Sequence, residues 1–393
     1  MTDRPKTEEL IQSYQAKSRN GHVHGGHVQP SVPSSFPPSP SHAIAADAEH
    51  AAPAAAVHRI ALIVSTASGA PTLQASAQTS GLPADIHAEL DSDKSVASYA
   101  QALKDAGHEV MVQEGNAHLA AWLSEVQPDI CLNVCEGFRG DSREAQVPAL
   151  LEMLGIRYTG PTPLAAAVTH DKPTTKRILH YHGLPTPLFQ VFERADEPLG
   201  RDLRFPLFVK PAHEGTGMGV HNDSIVRDEA HLRARVAWCI EAYAQPALVE
   251  SFIEGKDLTC GLVGNGKDVH FFPITEVDFS GFPADLEPIY GSLQKVDFDH
   301  LYKNKCPAPL GDALTSEVRW LTHQTFLVTA CRDFARVDFR LDGQGNLCIL
   351  EINGLPGITP RSDLTLMAQA EGWTHGDLVR SVLDAGLKRY GMK

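Results

Sequence analysis

No stretch of this chain of 393 residues is apolar for long enough to cross a membrane. Its first ten residues, MTDRPKTEEL, lack the apolar core of a secretory signal. A cytoplasmic protein is therefore expected. Positive charge is scarce. The formal net charge of -14 argues against nucleic acid or an anionic membrane surface as the main partner. It leaves room for an anionic ligand, because a few local lysines can bind phosphate inside an acidic protein. Metal-ligand spacing is missing among the seven cysteines: Cys131 and Cys135 are the closest pair, and no second pair completes a zinc site. Buried free thiols are expected instead. Two nucleotide signatures are missing as well. No Gly-Lys-Ser/Thr opens a helix, and no glycine fingerprint lies between a strand and a helix.

What is present is an ordinary globular composition, 42% apolar and 21% charged, long enough for two or three domains. Residues 1–56 are the exception. They are rich in Pro, Ser, Ala, Gly and His and lack the apolar surface that offsets ordering entropy, so a flexible tail is expected. It would carry at most a short helix near Thr7 to Lys17. His22, His24 and His27 within it could touch a metal weakly, but an incidental solvated run is the expected reading. The apolar run HRIALIVS then reads as a buried parallel strand. Helix and strand patterns alternate after it, through SVASYAQALKDAGHEV, HLAAWLSEV, PDICLNV and REAQVPALLEMLGI. This is the pattern of an open α/β domain, here residues 57–162. A helix through THDKPTTKRILHYHGLP opens a second unit, 163–247. A third, 248–393, holds a Pro/Gly-broken stretch, a helix through SEVRWLTHQTFLVTACRD and two late strands. There is no internal repeat.

Three stretches carry chemistry. In VKPAHEGTGMGV, Lys210 ends an apolar strand, and Gly215, Gly217 and Gly219 follow at alternate positions. Glycine lets backbone N–H groups turn toward an anion, and a lysine beside such a loop suits phosphate. Alone, the pattern fits a structural hairpin with a surface lysine as well. In LVESFIEGKDLT, the backbone beside Glu250, Phe252 and Ile253 suits a purine, and Asp257 suits ribose hydroxyls. A plain amphipathic hairpin has the same pattern. The third stretch is ARVDFR with CILEINGLPGITPRS. Arg336 and Asp338 are two apart, as are Glu351 and Asn353, so each pair shares a strand face. Carboxylates crowded on a half-buried face repel unless a cation lies among them, which favours magnesium over a surface ladder of ion pairs.

Taken together and in this order, these blocks resemble the ATP-grasp superfamily, and within it the D-alanine–D-alanine ligase family. The likeness covers roughly residues 57–390 and is most specific at HDK (170–172), FVKPAHEGTGMGV, LVESFIEGKDLT, CPAPL and ARVDFRLD…LEINGLPGITPRS. It implies an α/β first domain followed by central and C-terminal α+β subdomains that grip ATP. Lys172 and Lys210 would contact phosphates, beside the loop of Glu214, Gly215 and Gly217. Glu250, Phe252 and Ile253 would frame adenine, with Phe208 and Leu350 on its faces and Asp257 on the ribose. Asp338, Glu351 and Asn353 would hold two Mg²⁺ ions, or Mn²⁺. Arg336 and the Gly357 N–H would form an oxyanion hole, and Ser362 would hold the amine substrate's carboxylate. Residues 278–305 would be a mobile lid whose Lys295 reaches the γ-phosphate. The resemblance further implies an acyl-phosphate route to an amide, small amino-acid or carboxylic-acid substrates, and a homodimer.

The departures from the family pattern concern the first substrate. DSDKSVAS, with Asp93, stands where the family has Ser-x-Glu-Arg-Glu-Val-Ser. Thr216, between two glycines, stands in a Gly-Ser-Ser position. Val296 replaces a lid tyrosine, and Glu136 replaces a histidine. Thr216 and Asp93 are thus candidate catalytic positions with altered chemistry. The loop from Ser65 to Leu90 is also longer than expected. A ligase with a changed carboxylate substrate is the expectation. D-alanine–D-alanine ligase itself and a non-catalytic nucleotide-binding module are the alternatives.

Overall fold

The computed structural model describes residues 56–69, 83, 85, 87–283, 286–289, 291 and 303–392. The expectations for the tail, and for Lys295 with most of the lid stretch, lie outside these residues. The chain divides into units Met1–Ala56 and Val57–Lys393, and every element below belongs to the second.

The first sheet holds β1 (Arg59–Val64), β2 (Glu109–Glu114) and β3 (Ile130–Asn133) in the order β2-β1-β3, with both pairs parallel. Between them run α1 (Asp93–Asp105) and α2 (Leu119–Val126), and α3 (Arg143–Met153) follows. Alternation along β1 explains its unbroken apolar run. Ile60, Leu62 and Val64 share a core with Tyr99 and Leu103 of α1, while Ala61 and Ile63 face Leu123 of α2 and Leu151 of α3. The strand order reverses beside β1, so a crevice opens at the carboxyl ends of these strands.

The helical pattern around HDK is two helices: α4 (Pro163–His170) and α5 (Lys172–Tyr181). Asp171 between them is extended (φ -86°, ψ 94°). Its carboxylate accepts the Thr174 N–H at 2.7 Å and caps α5. Lys172 is thereby fixed at the start of a helix, and it is buried.

The second sheet is antiparallel, ordered β4-β7-β5-β6, from β4 (Phe189–Phe192), β5 (Leu207–Pro211), β6 (Ile225–Val226) and β7 (Ala247–Ser251). Leu207, Val209, Ala247 and Val249 pack on Leu232, Val236 and Cys239 of α6 (Glu229–Tyr243). Their neighbours Phe208, Lys210 and Glu250 point the other way.

The third sheet contains β8 (Gly255–Asn265), β9 (Asp268–Phe271), β10 (Thr275–Asp278), β11 (Lys303–Lys305), β12 (Asp333–Asp342) and β13 (Leu347–Asn353). Its path is β11-β10-β8-β12-β13, with β9 on β8. One face packs on Val318, Leu321 and Phe326 of α7 (Asp312–Val328). Helices α8 (Asp363–Ala370) and α9 (His375–Arg389) complete the chain, and α9 joins the core of the first sheet. LVESFIEGKDLT is therefore not a hairpin. β7 and β8 belong to different sheets, and Phe252–Glu254 carries the chain across the cleft between them. All seven cysteines are free, five of them buried.

Candidate active site

The cleft is lined from the second sheet by Phe208, Lys210 and Glu250, and from the third by Asp257, Arg336, Asp338 and Glu351. Pairing of β12 with β13 sets Asp338 opposite Glu351 and Arg336 opposite Asn353. A β-bulge lies between Asp338 and Phe339, where Ile349 and Glu351 face successive β12 residues and Leu350 is extra. Without that insertion, strict alternation from the buried Ile349 would also turn Glu351 inward. The bulge lets Leu350 and Glu351 both line the cleft.

The third-sheet groups are tied together. Arg336 donates twice to Asp338, at 3.0 and 2.9 Å, and lies 3.6 Å from Asp363. Thr259, opposite Asp338 on β8, donates to it at 2.5 Å, and the Asn353 amide donates at 3.0 Å. Burial works against the Arg336 charge, but Asp338 and Asp363 outweigh it and hold the guanidinium ionised. Among the described residues, no group of three or more His, Cys, Asp or Glu is arranged for a metal. Two carboxylates and an amide oxygen on one face are hard donors all the same. They fit magnesium, which takes one or two carboxylates and completes its shell with phosphate and water.

A buried charge triad faces these groups. Glu250 pairs with Lys176 and, at 2.9 Å, with Lys210. Burial alone would raise the Glu250 carboxyl, yet the two lysines hold it below the usual carboxylate range. Burial pushes Lys176 down, whereas Lys210 stays raised because Glu250 and Glu351 outweigh its burial. The Glu250 carboxylate thus serves the lysines, and only its backbone is left for a ring. Lys172 lies 3.4 Å from Glu351 and donates to the Glu214 carbonyl.

At the other end, Phe208 and Phe252 stack with centroids 6.3 Å apart and planes at 18°. Arg340 covers Phe252 at 5.3 Å, donates to the Ile253 carbonyl at 2.9 Å and bonds Asp257 at 2.5 Å. Sequence reading missed Lys176, Arg340, Thr259, Asp363 and Arg143. Two of them carried a signal. Lys176 is one helical turn from Lys172, and Arg340 continues the every-second-residue face of Arg336 and Asp338.

Glu214, Thr216 and Gly217 line the cleft, while Gly215 does not. Gly357 and Ser362 lie together, since a Cβ on Gly357 would meet that of Ser362 at 3.9 Å, and neither lines the cleft, although Asp363 next to Ser362 does. Ser362 is the N-cap of α8, and its hydroxyl donates to the Thr359 carbonyl at 3.0 Å. Asp93 is exposed in the first turn of α1, away from the cleft. The inward carboxylate of that stretch is Asp91, which accepts from Tyr99 at 3.0 Å.

Burial, with Glu114 adding to it against the Tyr99 bond, pushes Asp91 up from 3.8 to about 6. The folded protein therefore holds this proton more tightly than the unfolded chain does. The stability it contributes is complete below 3.8 and is lost as pH rises through about 6. Asp91→Asn keeps the acceptor for Tyr99 and removes the titration. Urea unfolding should show the wild-type loss of stability between about pH 4 and pH 7, up to ~3 kcal/mol, shrink in the variant. An unchanged pH dependence would reject the assignment.

The family model described as "D-ala D-ala ligase C-terminus" matches residues 178–384. A D-alanine–D-alanine ligase of Moorella thermoacetica is 32% identical over 305 residues, 75% of this chain and 94% of its own. The chain belongs to the D-alanine–D-alanine ligase family. It is accordingly an ATP-dependent ligase of the class that forms carbon–nitrogen bonds. The uncharacterized protein y4sG of Sinorhizobium fredii is 35% identical over 304 residues, 75% of this chain and 87% of its own. Crystal structures of D-alanine–D-alanine ligase from Bacillus anthracis share the ATP-grasp fold. The form complexed with ATP has a TM-score of 0.60 at 22% identity, covering 85% of this chain and 99% of its own. The second structure has a TM-score of 0.64 at 23% identity, covering 86% and 99%. Among the described residues, no helix of this ligase is long and apolar enough to cross a membrane.

Proposed function

We propose that this ligase joins two amino-acid-type substrates through an acyl phosphate, and that its carboxylate substrate is not plain D-alanine. The observation that carries the substrate change is the crevice of the first sheet. Glu136 stands there in place of a family histidine. Burial, with Glu89 and Glu144 nearby, raises its carboxyl well above the ordinary range, so the group there differs from an imidazole in shape and in charge preference. Asp93, the stand-in for the family glutamate, faces solvent. A first substrate held in this crevice would meet a carboxyl group where D-alanine ligases present an imidazole, and no carboxylate from Asp93.

The cleft residues take the following roles. Phe208, Phe252 and Leu350 flank the purine, beside the Ile253 backbone, and Asp257, oriented by Arg340, holds the ribose. Lys172, Lys210 and the loop of Glu214, Thr216 and Gly217 face the phosphates. Asp338, Glu351 and Asn353 would hold Mg²⁺, two ions in the fullest case. When bound, the metal offsets charge on the transferred phosphoryl group. A carboxylate oxygen of the first substrate attacks the γ-phosphorus as its bond to ADP breaks. The amine nitrogen of the second then attacks the acyl carbon, phosphate leaves and the amine loses a proton. Arg336 and the Gly357 N–H steady the oxyanion of that second step, and Ser362 fixes the amine substrate's carboxylate. Lys295 would close over the γ-phosphate.

A second reading, D-alanine–D-alanine ligase itself, is favoured by relatives of that name at 32% identity or more. A panel of D- and L-amino acids, alone and in pairs, assayed for phosphate release, separates the readings. The proposal expects release that needs a partner other than D-alanine. Rapid release with D-alanine alone supports the second reading. ATP binding without release for any pair would mean a non-catalytic module.

A further inference from the structure

The glycine loop has two faces, and they are held by different parts of the chain. Thr216, Gly217 and Met218 line the cleft, whereas Gly215 and Gly219 do not. The loop is strained at one position: Thr216 is β-branched at φ 51°, and such backbone persists only where its surroundings hold it, whereas Gly217 and Gly219 adopt their positive φ (76° and 69°) freely. On the outer side, the Gly219 N–H donates to one carboxylate oxygen of Asp85 at 3.0 Å. The other oxygen accepts from the Tyr243 hydroxyl at 2.7 Å, which anchors Asp85 on α6. A Cβ on Gly215 would fall 2.0 Å from Glu89 Oε1, so this segment lies directly against the loop. Arg143 of α3 bonds Glu89 at 2.5 Å and Glu214 at 3.0 Å. Asp85 and Glu89 both belong to the stretch from Ser65 to Leu90 that lengthens the first domain.

We propose that Asp85 is a positioning residue: it braces the glycine loop from behind, so that the loop's inner amides stay aimed at nucleotide phosphates. This rests on the nucleotide reading of the cleft. The added length of the first domain then has a task in the second sheet. The Asp85 carboxylate holds the Gly219 amide on the outer face, and the Met218 and Val220 amides bond the Gly215 and Gly217 carbonyls, so the amides offered to an anionic ligand within the cleft are those of Thr216 and Gly217.

The test compares ADP with adenosine by calorimetric titration of the full chain, because only ADP uses the loop. Asp85→Ala should weaken ADP by about tenfold, the worth of one hydrogen bond to a charged group, and leave adenosine unchanged. Asp85→Asn, which can still accept from Gly219, should restore most of the loss. If Asp85→Ala does not fold, Tyr243→Phe removes only the anchor and should shift ADP in the same direction. Equal weakening of ADP and adenosine, or no weakening of either, overturns the proposal. Wild type binding neither ligand would instead overturn the nucleotide reading beneath it.

Discussion

Glu351→Ala lowers kcat by about a thousandfold or more and leaves the protein folded, the scale of effect seen when charge stabilisation is removed from a transferred group. The structural cost is small, because the Glu351 side chain is 22% exposed and its partner Lys172 keeps a bond to the Glu214 carbonyl. The chemical cost is large, because Glu351 faces Asp338 across β12 and β13 and the pair forms the anionic half of the site. Single-turnover phosphate release and a melting curve on the same sample separate the two effects. Glu351→Asp should be partly rescued by raised Mg²⁺ or Mn²⁺. Wild-type turnover in the alanine variant would reject the metal assignment.

Glu250→Gln destabilises the fold by about 3–5 kcal/mol, the cost of leaving a buried charge without its partner. Lys176 is 1% exposed and Lys210 is 7% exposed, and Glu250 is the carboxylate that both contact directly. An amide cannot carry the charge, so the two buried lysine side chains would face each other without the anion between them. Equilibrium urea unfolding measures the loss. A cost below about 1 kcal/mol, typical of a surface pair, would mean that water reaches the triad.

Which parts of this arrangement a reader of the sequence could find follows from the range of each signal. The apolar run from Ile60 to Val64 is legible because a strand covered on both faces has no polar face to show. Arg336, Asp338, Glu351 and Asn353 are legible as pairs, because alternation is a local rule. The bulge at Leu350 is not, since it exists only in the pairing of β13 with β12. Asp171 illustrates a competing signal. The helical pattern runs on through HDK, but an aspartate before Lys172-Pro173 caps a new helix more favourably than it continues the old one. Hairpin chemistry in LVESFIEGKDLT misleads for another reason. Turn residues mark where a chain bends, not which sheet the next strand joins. Arg143 escaped notice because its partners Glu89 and Glu214 lie 54 and 71 residues away. Asp93 stands where the family pattern has a longer glutamate, but the first turn of α1 turns it to solvent and leaves Asp91 to face inward.

What occupies the space between the second and third sheets decides the chemistry of this ligase. A crystal structure of the full chain grown with Mg²⁺ and a non-hydrolysable ATP analogue tests it most directly. The expected map has the purine between Phe208 and Leu350, the phosphates beside Lys172 and Lys210, and metal density touching Asp338 and Glu351. A cleft without nucleotide at saturating concentration, with Arg336 and Asn353 still bonded to Asp338, would contradict it.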